Sequence, residues 1–262
     1  MSKYAYMDKN IKAINIRQLI AGHGFEEIDL EEDLTLPEDA TEIAVHGVLR
    51  GNSTLIKQAI AKGIDWIYMD NAGHYFPDMY KRIVVNATAP TKLRKGPPRF
   101  EHNTKLKPWR GGEGKNIVIL PPSPPYMDTF DTRNFLNFCA HNLNAYTDKN
   151  LIIRAKPAKG KMAPPWEEQL ADAYCVVTWG SALALDAMIQ GVPTISMGWC
   201  PAMHASKRID ELETHAMEDE PDRMAIMNNL TWSSFNKTEL STTSSKKSSE
   251  SIYNIIMENK IA

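Results

Sequence analysis

Residues 172–196, DAYCVVTWGSALALDAMIQGVPTIS, limit the fold more than any other stretch of the chain. AYCVVT is an unbroken apolar run of the kind found in a strand buried on both faces. Gly180 and Ser181 then turn the chain, and Ser181 is placed to cap a short helix. Gly191-Val192-Pro193 ends that helix, and VPTIS opens a second strand. A strand, a helix and a strand in this order form a βαβ unit, so the sheet is parallel and the helix runs back along it. The helix N-terminus therefore lies at the carboxyl end of the strands, where open α/β sheets bind ligands. Its free N–H groups and dipole favour an anion, above all a phosphate. Asp186 sits one turn beyond Ala182 on the same helix face. A carboxylate there suits paired hydroxyls, such as a ribose, better than a second phosphate. It stands among Leu183, Leu185, Met188 and Ile189, and an acid in apolar company needs a partner, a ligand or water. Ser-Ala and Gly-x-Pro are also ordinary helix punctuation, so the motif alone leaves a purely structural role open.

The rest of the chain repeats the α/β pattern. Residues 1–22 are expected to be helical, with Ile11, Ile14, Leu19 and Ile20 apolar and Gly22-His23-Gly24 as a stop; residues 25–40 read as an acidic loop. EIAVHGVL (42–49) and DWIYMDNA (65–72) read as buried strands around a helix at 53–63. Residues 81–115 hold ten Lys and Arg against two Glu, with several Pro and Gly, and read as a basic connector. NIVILPPS (116–123) and NLIIRAKP (150–157) are strand candidates, and helices are expected around 132–146 and 166–173. Residues 233–250 are rich in Ser, Thr and Lys and read as a mobile tail, with a last short helix after them. The expected domains are a first half (1–112) that includes the connector, a nucleotide-binding half (113–232) and a tail (233–262).

The 30 Lys and Arg nearly balance the 32 Asp and Glu, so any nucleic-acid surface must be local rather than global. No apolar run approaches the roughly 18 residues of a membrane span, so no membrane partner is expected. Cys139, Cys175 and Cys200 are too few and too scattered for a disulfide framework or a zinc site, and read as buried thiols in a reducing cytoplasm.

With these residues in view, ADAYCVVTWGSALALDAMIQGVPTIS resembles the donor-nucleotide motif of GT-B glycosyltransferases. The chain also resembles a family of bacteriophage-encoded GT-B-like proteins, through GIDWIYMDNAGHYF, YKRIVVN, LKPWR, NIVILPPS, IIRAKP and IMNNLTWSSF. The resemblance implies a reduced GT-B-like α/β fold, with two Rossmann-like parallel-sheet halves facing a crevice. It implies a sugar transferred from a nucleotide sugar, expected to be a UDP-sugar, with no other cofactor. By the same resemblance Ser181 and Ala182, with Thr178 and Gly180 beside them, meet the donor diphosphate, and Asp186 meets the ribose. Arg154 and Lys156 match the cations that hold the leaving diphosphate, and alternate on their expected strand. Ser123 ends a strand at the same sheet edge and is a further phosphate candidate. Some phage transferases of this type decorate hydroxymethylated pyrimidines in viral DNA. That makes double-stranded DNA with 5-hydroxymethylcytosine or 5-hydroxymethyluracil the expected acceptor, in the cytoplasm of an infected host cell.

Transfer with inversion needs a base for the acceptor hydroxyl proton. Asp70, directly after the apolar run WIYM, and His74, in the loop beyond it, are the candidates; a turn-capping Asp and a packed His are the structural alternative. Arg50 and Asn52 end the preceding strand and can line the same region, whereas His46 inside that strand reads as a core residue. Lys92, Arg94, Lys95 and Arg99, with Lys105, Lys107 and Arg110, can neutralise DNA phosphates, and Trp109 or Phe100 can stack on an exposed base. A solvated linker is the plain alternative for the whole run. No Asp-x-Asp triplet occurs, so no metal ligand set is expected. A glycan or teichoic-type acceptor, a nucleotide-sugar epimerase, and a non-catalytic nucleotide- or DNA-binding protein all fit the same donor motif.

Overall fold

The computed structural model describes residues 2–7, 12–30, 34–49, 51–73, 76, 80–156, 164–242 and 246–260. In chain order the elements are β1 (Ser2–Met7), α1 (Lys12–Ile20), β2 (Phe25–Asp29), β3 (Ala40–His46), α2 (Asn52–Lys62), β4 (Asp65–Asn71), β5 (Lys81–Val85) and β6 (Asn116–Leu120). They continue with α3 (Pro124–Phe130), α4 (Phe135–Leu143), β7 (Asn150–Ile153), α5 (Trp166–Ala171), β8 (Ala173–Thr178), α6 (Leu183–Ile189) and β9 (Thr194–Ser196). The last are α7 (Arg223–Thr231), β10 (Ser234–Phe235), α8 (Lys237–Thr242) and α9 (Lys246–Glu258). Contacts divide the chain into two compact units. The first comprises Met1–Lys92, Asp128–Phe130 and Leu230–Ala262; the second comprises Leu93–Met127 and Asp131–Asn229.

The first unit is built on a six-stranded sheet in the order β10-β5-β4-β3-β1-β2. Strands β2, β1, β3 and β4 are parallel, but β5 runs antiparallel to β4 and β10 antiparallel to β5. The sheet is therefore mixed, not wholly parallel as expected. Three local expectations also change. Residues 2–7 form a strand rather than the start of a helix, because Tyr4-Ala5-Tyr6-Met7 fill an inner position between β2 and β3 with all four side chains buried. Residues 25–29 form an edge strand rather than loop. Residues 81–85, assigned to the basic connector, form β5, whose Ile83, Val84 and Val85 are buried.

The expected tail is corrected as well. β10 pairs with β5, and α9 puts Ile256 into a core with Ile16, Leu19, Ile67 and Ile83. The last helix expected after residue 250 is present as α9, which starts earlier, at Lys246, and its apolar face includes Ile252, Tyr253, Ile255 and Ile256. The Tyr253 hydroxyl lies 2.8 Å from both Glu42 carboxylate oxygens and accepts from Lys3 Nζ at 2.7 Å; burial pushes the Tyr253 phenol up to about 12. Ile256→Ala is expected to cost about 2–5 kcal/mol, the usual range for emptying a core site. A denaturant melt of the full chain checks this, and a change within error of zero would restore the tail reading.

The second unit has a wholly parallel four-stranded sheet in the order β7-β6-β8-β9. Successive residues of β6 and β8 alternate between its faces. Ile117, Ile119, Cys175 and Val177 join Phe135, Cys139 and Leu143 of α4 in one cluster. Val118, Leu120 and Val176 join Leu170 of α5 and Ala187 of α6 in the other. Helices thus cover both faces, which is why these strands read as unbroken apolar runs. Pro124 and Pro125 after β6 do not prolong a turn but occupy the first positions of α3, where a missing N–H costs nothing. The three cysteines are free and buried, and burial pushes the Cys139 thiol up to about 12 and that of Cys175 up as well. Among the described residues no helix is long and apolar enough to cross a membrane.

Candidate functional site

From β6 the chain passes to β7 on one side of the sheet, then returns over β6 to β8 and β9 on the other. The order reverses between β6 and β8, and ligands of such sheets bind at the carboxyl ends on either side of that point. The segments that leave the sheet there are Pro121-Pro122-Ser123 and Trp179-Gly180-Ser181-Ala182, both singled out from sequence.

Thr178 organises this edge. Its buried hydroxyl donates to Leu120 O at 3.0 Å, which ties the ends of β6 and β8 together. The same oxygen accepts from Ser181 N at 3.0 Å and so fixes the turn. Ser181 Oγ in turn accepts from Leu183 N at 3.2 Å at the start of α6. Thr178 is fully buried, so its part is to shape the loop rather than to touch a ligand. Gly180 is required by close approach: a Cβ there would lie 2.8 Å from the Tyr126 hydroxyl and 3.1 Å from Trp199 O. Ser123 precedes α3, and its side chain makes no capping bond to that helix. Asp186 lies in the first turn of α6 and is 8% exposed.

The two expected cations differ from their sequence reading. β7 ends at Ile153, so Arg154 and Lys156 do not alternate on a strand. Arg154 N still donates to Ile119 O, but its guanidinium donates to Pro164 O and Gln169 Oε1 and lies over the Trp166 ring. Arg154 thus docks the start of α5 against the sheet edge. Lys156 is exposed.

In the first unit the order reverses between β1 and β3, and His46 is the last residue of β3. It sits half-buried at the carboxyl edge, not in the core as the strand pattern suggested. Asn52 is 3% exposed and donates from Nδ2 to His46 O at 2.7 Å, while its Oδ1 has no partner among the described residues. It latches α2 to β3 and is too buried to line an open surface. Asp70 is half-buried at the end of β4; Tyr68 Oη donates to its Oδ2 at 2.9 Å and Asn71 N to its Oδ1 at 2.8 Å. Both oxygens are held in fixed directions. His74 and Arg50 lie outside the described residues.

The connector beyond β5 is not a free linker. Lys107 N donates to Ile189 O, and Arg110 N to Gly191 O. The Arg110 guanidinium donates to the carbonyls of Leu170, Ala171 and Ala173. Arg94 N donates to Asn229 Oδ1. Trp109 lies under the Arg223 guanidinium and its Nε1 is buried, so its polar edge faces the protein rather than a base. Arg99 lies over the Phe100 ring, Lys92 Nζ reaches Glu258 O, and Lys95 is exposed.

Sequence reasoning passed over Arg223. It is 4% exposed, and its guanidinium donates to Met188 O, Lys107 O and the Glu220 carboxylate. It closes the C-terminal end of α6 and holds the connector to it. Nothing in the local sequence marks it, because its carbonyl partners become neighbours only on folding.

Fold and candidate site together define an α/β protein of two units, the second built on a parallel sheet whose strand order reverses between β6 and β8. No protein-family model matches the chain, and no curated protein is similar to it. Among solved structures it is similar to the beta Kdo 2,4 transferase of KpsC from Thermosulfurimonas dismutans, at 10% identity and a TM-score of 0.40, over 86% of this chain and 89% of that one. It is also similar to the beta Kdo 2,7 transferase of KpsC from the same organism, at 14% identity and a TM-score of 0.45, over 99% of this chain and 100% of that one.

Proposed function

We propose that the chain is a glycosyltransferase that moves a sugar from a nucleotide sugar, a UDP-sugar in the first instance, to a hydroxyl acceptor. The observation that carries this reading is the edge at the β6–β8 reversal. There a turn fixed by Thr178 presents Ser181 and Ala182, with Ser123 in the segment between β6 and α3 and a buried acid, Asp186, one helical turn on. The Ser181 and Leu183 N–H groups are taken within the turn, so the charge that develops on a departing diphosphate is left to donors such as the Ser181 hydroxyl, which the turn holds in place without rearrangement during the reaction. A carboxylate suits the ribose hydroxyls. The acceptor proton is assigned to Asp70, whose carboxylate is oriented by Tyr68 and Asn71. His74 is the second candidate base.

The acceptor first assigned is 5-hydroxymethylcytosine or 5-hydroxymethyluracil in double-stranded phage DNA, with Lys92, Lys95 and Arg99 left to meet phosphates. A glycan hydroxyl is the second reading. It is favoured by one observation: Arg110, Trp109 and the backbone of Arg94 are committed to contacts within the fold.

The test is incubation with a panel of nucleotide sugars and three acceptors: hydroxymethylcytosine DNA, unmodified DNA, and a hydroxyl-bearing glycan. Products are read by mass spectrometry. A gain of one sugar on the hydroxymethylated base alone supports the DNA reading, and a gain on the glycan alone replaces it with the second. Nucleotide binding without transfer to any acceptor would sink the enzyme reading and leave an accessory protein.

A further inference from the structure

The second unit has a cavity of about 660 Å³ at the amino ends of β6 and β7, the opposite end of the sheet from the β6–β8 reversal edge. The five residues of β6, roughly 15 Å of strand, separate it from the donor turn. Its size is that of a small-molecule site, but its lining is polar. The loop from α4 to β7 forms most of the wall, with Lys115 just before β6 and Glu213 from a distant loop completing it.

Glu213 is held there at a cost. Its φ is +57°, a left-handed conformation that residues with a Cβ avoid. Glu213 N donates to the hydroxyl of buried Tyr174 at 2.9 Å. Glu213 Oε1 accepts from Thr147 Oγ1 at 2.5 Å and lies 3.5 Å from Lys149 Nζ, which itself rests 4.1 Å from the Tyr174 ring centroid. Lys149 N donates to Thr147 Oγ1 at 3.2 Å, so the hydroxyl of Thr147 is used up in holding the acid. All of these bonds go to one carboxylate oxygen. The other, Oε2, has no hydrogen-bond partner among the described residues. A strained residue persists where its surroundings fix it, and such residues gather at binding sites.

The rest of the lining is unspent. Lys115, Asn144 and Asp148 are exposed, and their side chains make no hydrogen bond among the described residues. Tyr146 stands at the wall 46% exposed. Lys115 and Lys149 offset Asp148 and Glu213, so the lining carries no net charge.

We propose that this cavity binds a neutral saccharide, with the free oxygen of Glu213 accepting from its hydroxyls and Tyr146 packing against a face of the sugar ring. The balance of charge disfavours an anion or a cation. Sugar hydroxyls both donate and accept, which matches carboxylates, an amide and an ammonium placed side by side. A sugar ring also has an apolar C–H face, which an exposed aromatic ring covers. The site goes beyond the donor reading and does not depend on it, because it lies away from the donor turn and calls for no phosphate.

The test is titration of glucose, galactose, N-acetylglucosamine and cellobiose into the full chain, followed by saturation-transfer NMR. Glucosamine and glucuronate serve as the charged counterparts of glucose. Tyr146→Ala removes an exposed ring. Glu213→Gln keeps an oxygen for Thr147 and puts an amide donor where the free acceptor was. At least one neutral sugar should bind the wild type, weakening about fivefold or more in Tyr146→Ala and about tenfold or more in Glu213→Gln. Diphosphate affinity, read by calorimetry, should be the same in both variants. Tyr146→Ala should melt with the wild type, so its loss of sugar is not a loss of folding. Sugar binding that ignores both variants lies elsewhere on the chain and overturns the proposal. Glucosamine or glucuronate binding more tightly than every neutral probe overturns the ligand class, and a wild type that binds no neutral sugar overturns the site. If neutral sugars bind and respond to Tyr146→Ala while neither nucleotide sugars nor diphosphate bind, the donor reading falls and this site stands.

Discussion

Gly191→Ala is expected to destabilise the second unit by about 3–5 kcal/mol, in the severe tail of single substitutions and a large share of the 5–15 kcal/mol of a typical domain. Two effects add. Gly191 has φ of +81°, a left-handed conformation that costs an L-residue about 1–2 kcal/mol. A Cβ on it would also lie 1.9 Å from Pro108 O and 2.9 Å from Pro108 C, which are backbone atoms rather than a yielding side chain. The 107–110 segment cannot withdraw cheaply. Lys107 N donates to Ile189 O at 2.9 Å, Arg110 N donates to Gly191 O at 2.8 Å, and Arg223 donates to Lys107 O at 2.9 Å. Gly63→Ala is the matched control: its φ is +65°, but a Cβ would meet nothing within 4 Å. It should cost only about 1–2 kcal/mol, from conformation alone. Denaturant melts of both variants decide. Equal costs would show that the connector does not press on the α6 turn.

These two glycines also show how much of the fold was legible in the sequence. Gly63 ends α2 by purely local rules, with its N–H bonded to Ala59 O and Ile60 O, and the sequence marks it plainly. Gly191 also reads as a helix stop, yet its larger role depends on Pro108, some eighty residues away in the chain. The same division runs through the molecule. β8, α6 and β9 are set by a short segment and were read with nearly their observed limits. β1 was missed because residues 1–22 read as one helix; the tyrosines of Tyr-Ala-Tyr-Met suit a strand, and their inner place between β2 and β3 makes them one. β5 was missed because its charged first residues were counted with a basic run, and because β10, which pairs with its other side, comes from near the far end of the chain. In the site, Ser123, Ser181 and Asp186 follow from the position of strands and helix starts. Arg223, which closes the other end of α6, does not, because its carbonyl partners become neighbours only on folding. Arg154 was found for the right edge, but the contact with α5 that occupies it is a product of folding.

Asp186→Asn is expected to lower the apparent specificity constant for the nucleotide sugar by about tenfold to a hundredfold. The range follows from about 1.5–3 kcal/mol for a hydrogen bond to a charged group. The substitution keeps size and shape in a site that is 8% exposed, so packing in α6 is preserved while the charge is removed. Rate alone would not tell a ribose contact from a general loss of order, so the informative measurement is a cycle. Ribonucleotides and their 2′- and 3′-deoxy counterparts are titrated into wild type and Asp186→Asn, alongside inorganic diphosphate. If the carboxylate holds the ribose, the wild type should prefer the ribonucleotide over one deoxy form by about tenfold, and the variant should lose most of that preference. Diphosphate affinity should not move, because it tests the Ser181 turn without the sugar. A variant that keeps the full ribose preference would remove Asp186 from the donor site, and a variant that weakens diphosphate as much as nucleotide would make it a residue that only holds α6 in shape. The first outcome would leave the Ser181 turn as the whole of the donor argument. The second would place the acid among the packing contacts that Arg223 makes at the far end of the same helix.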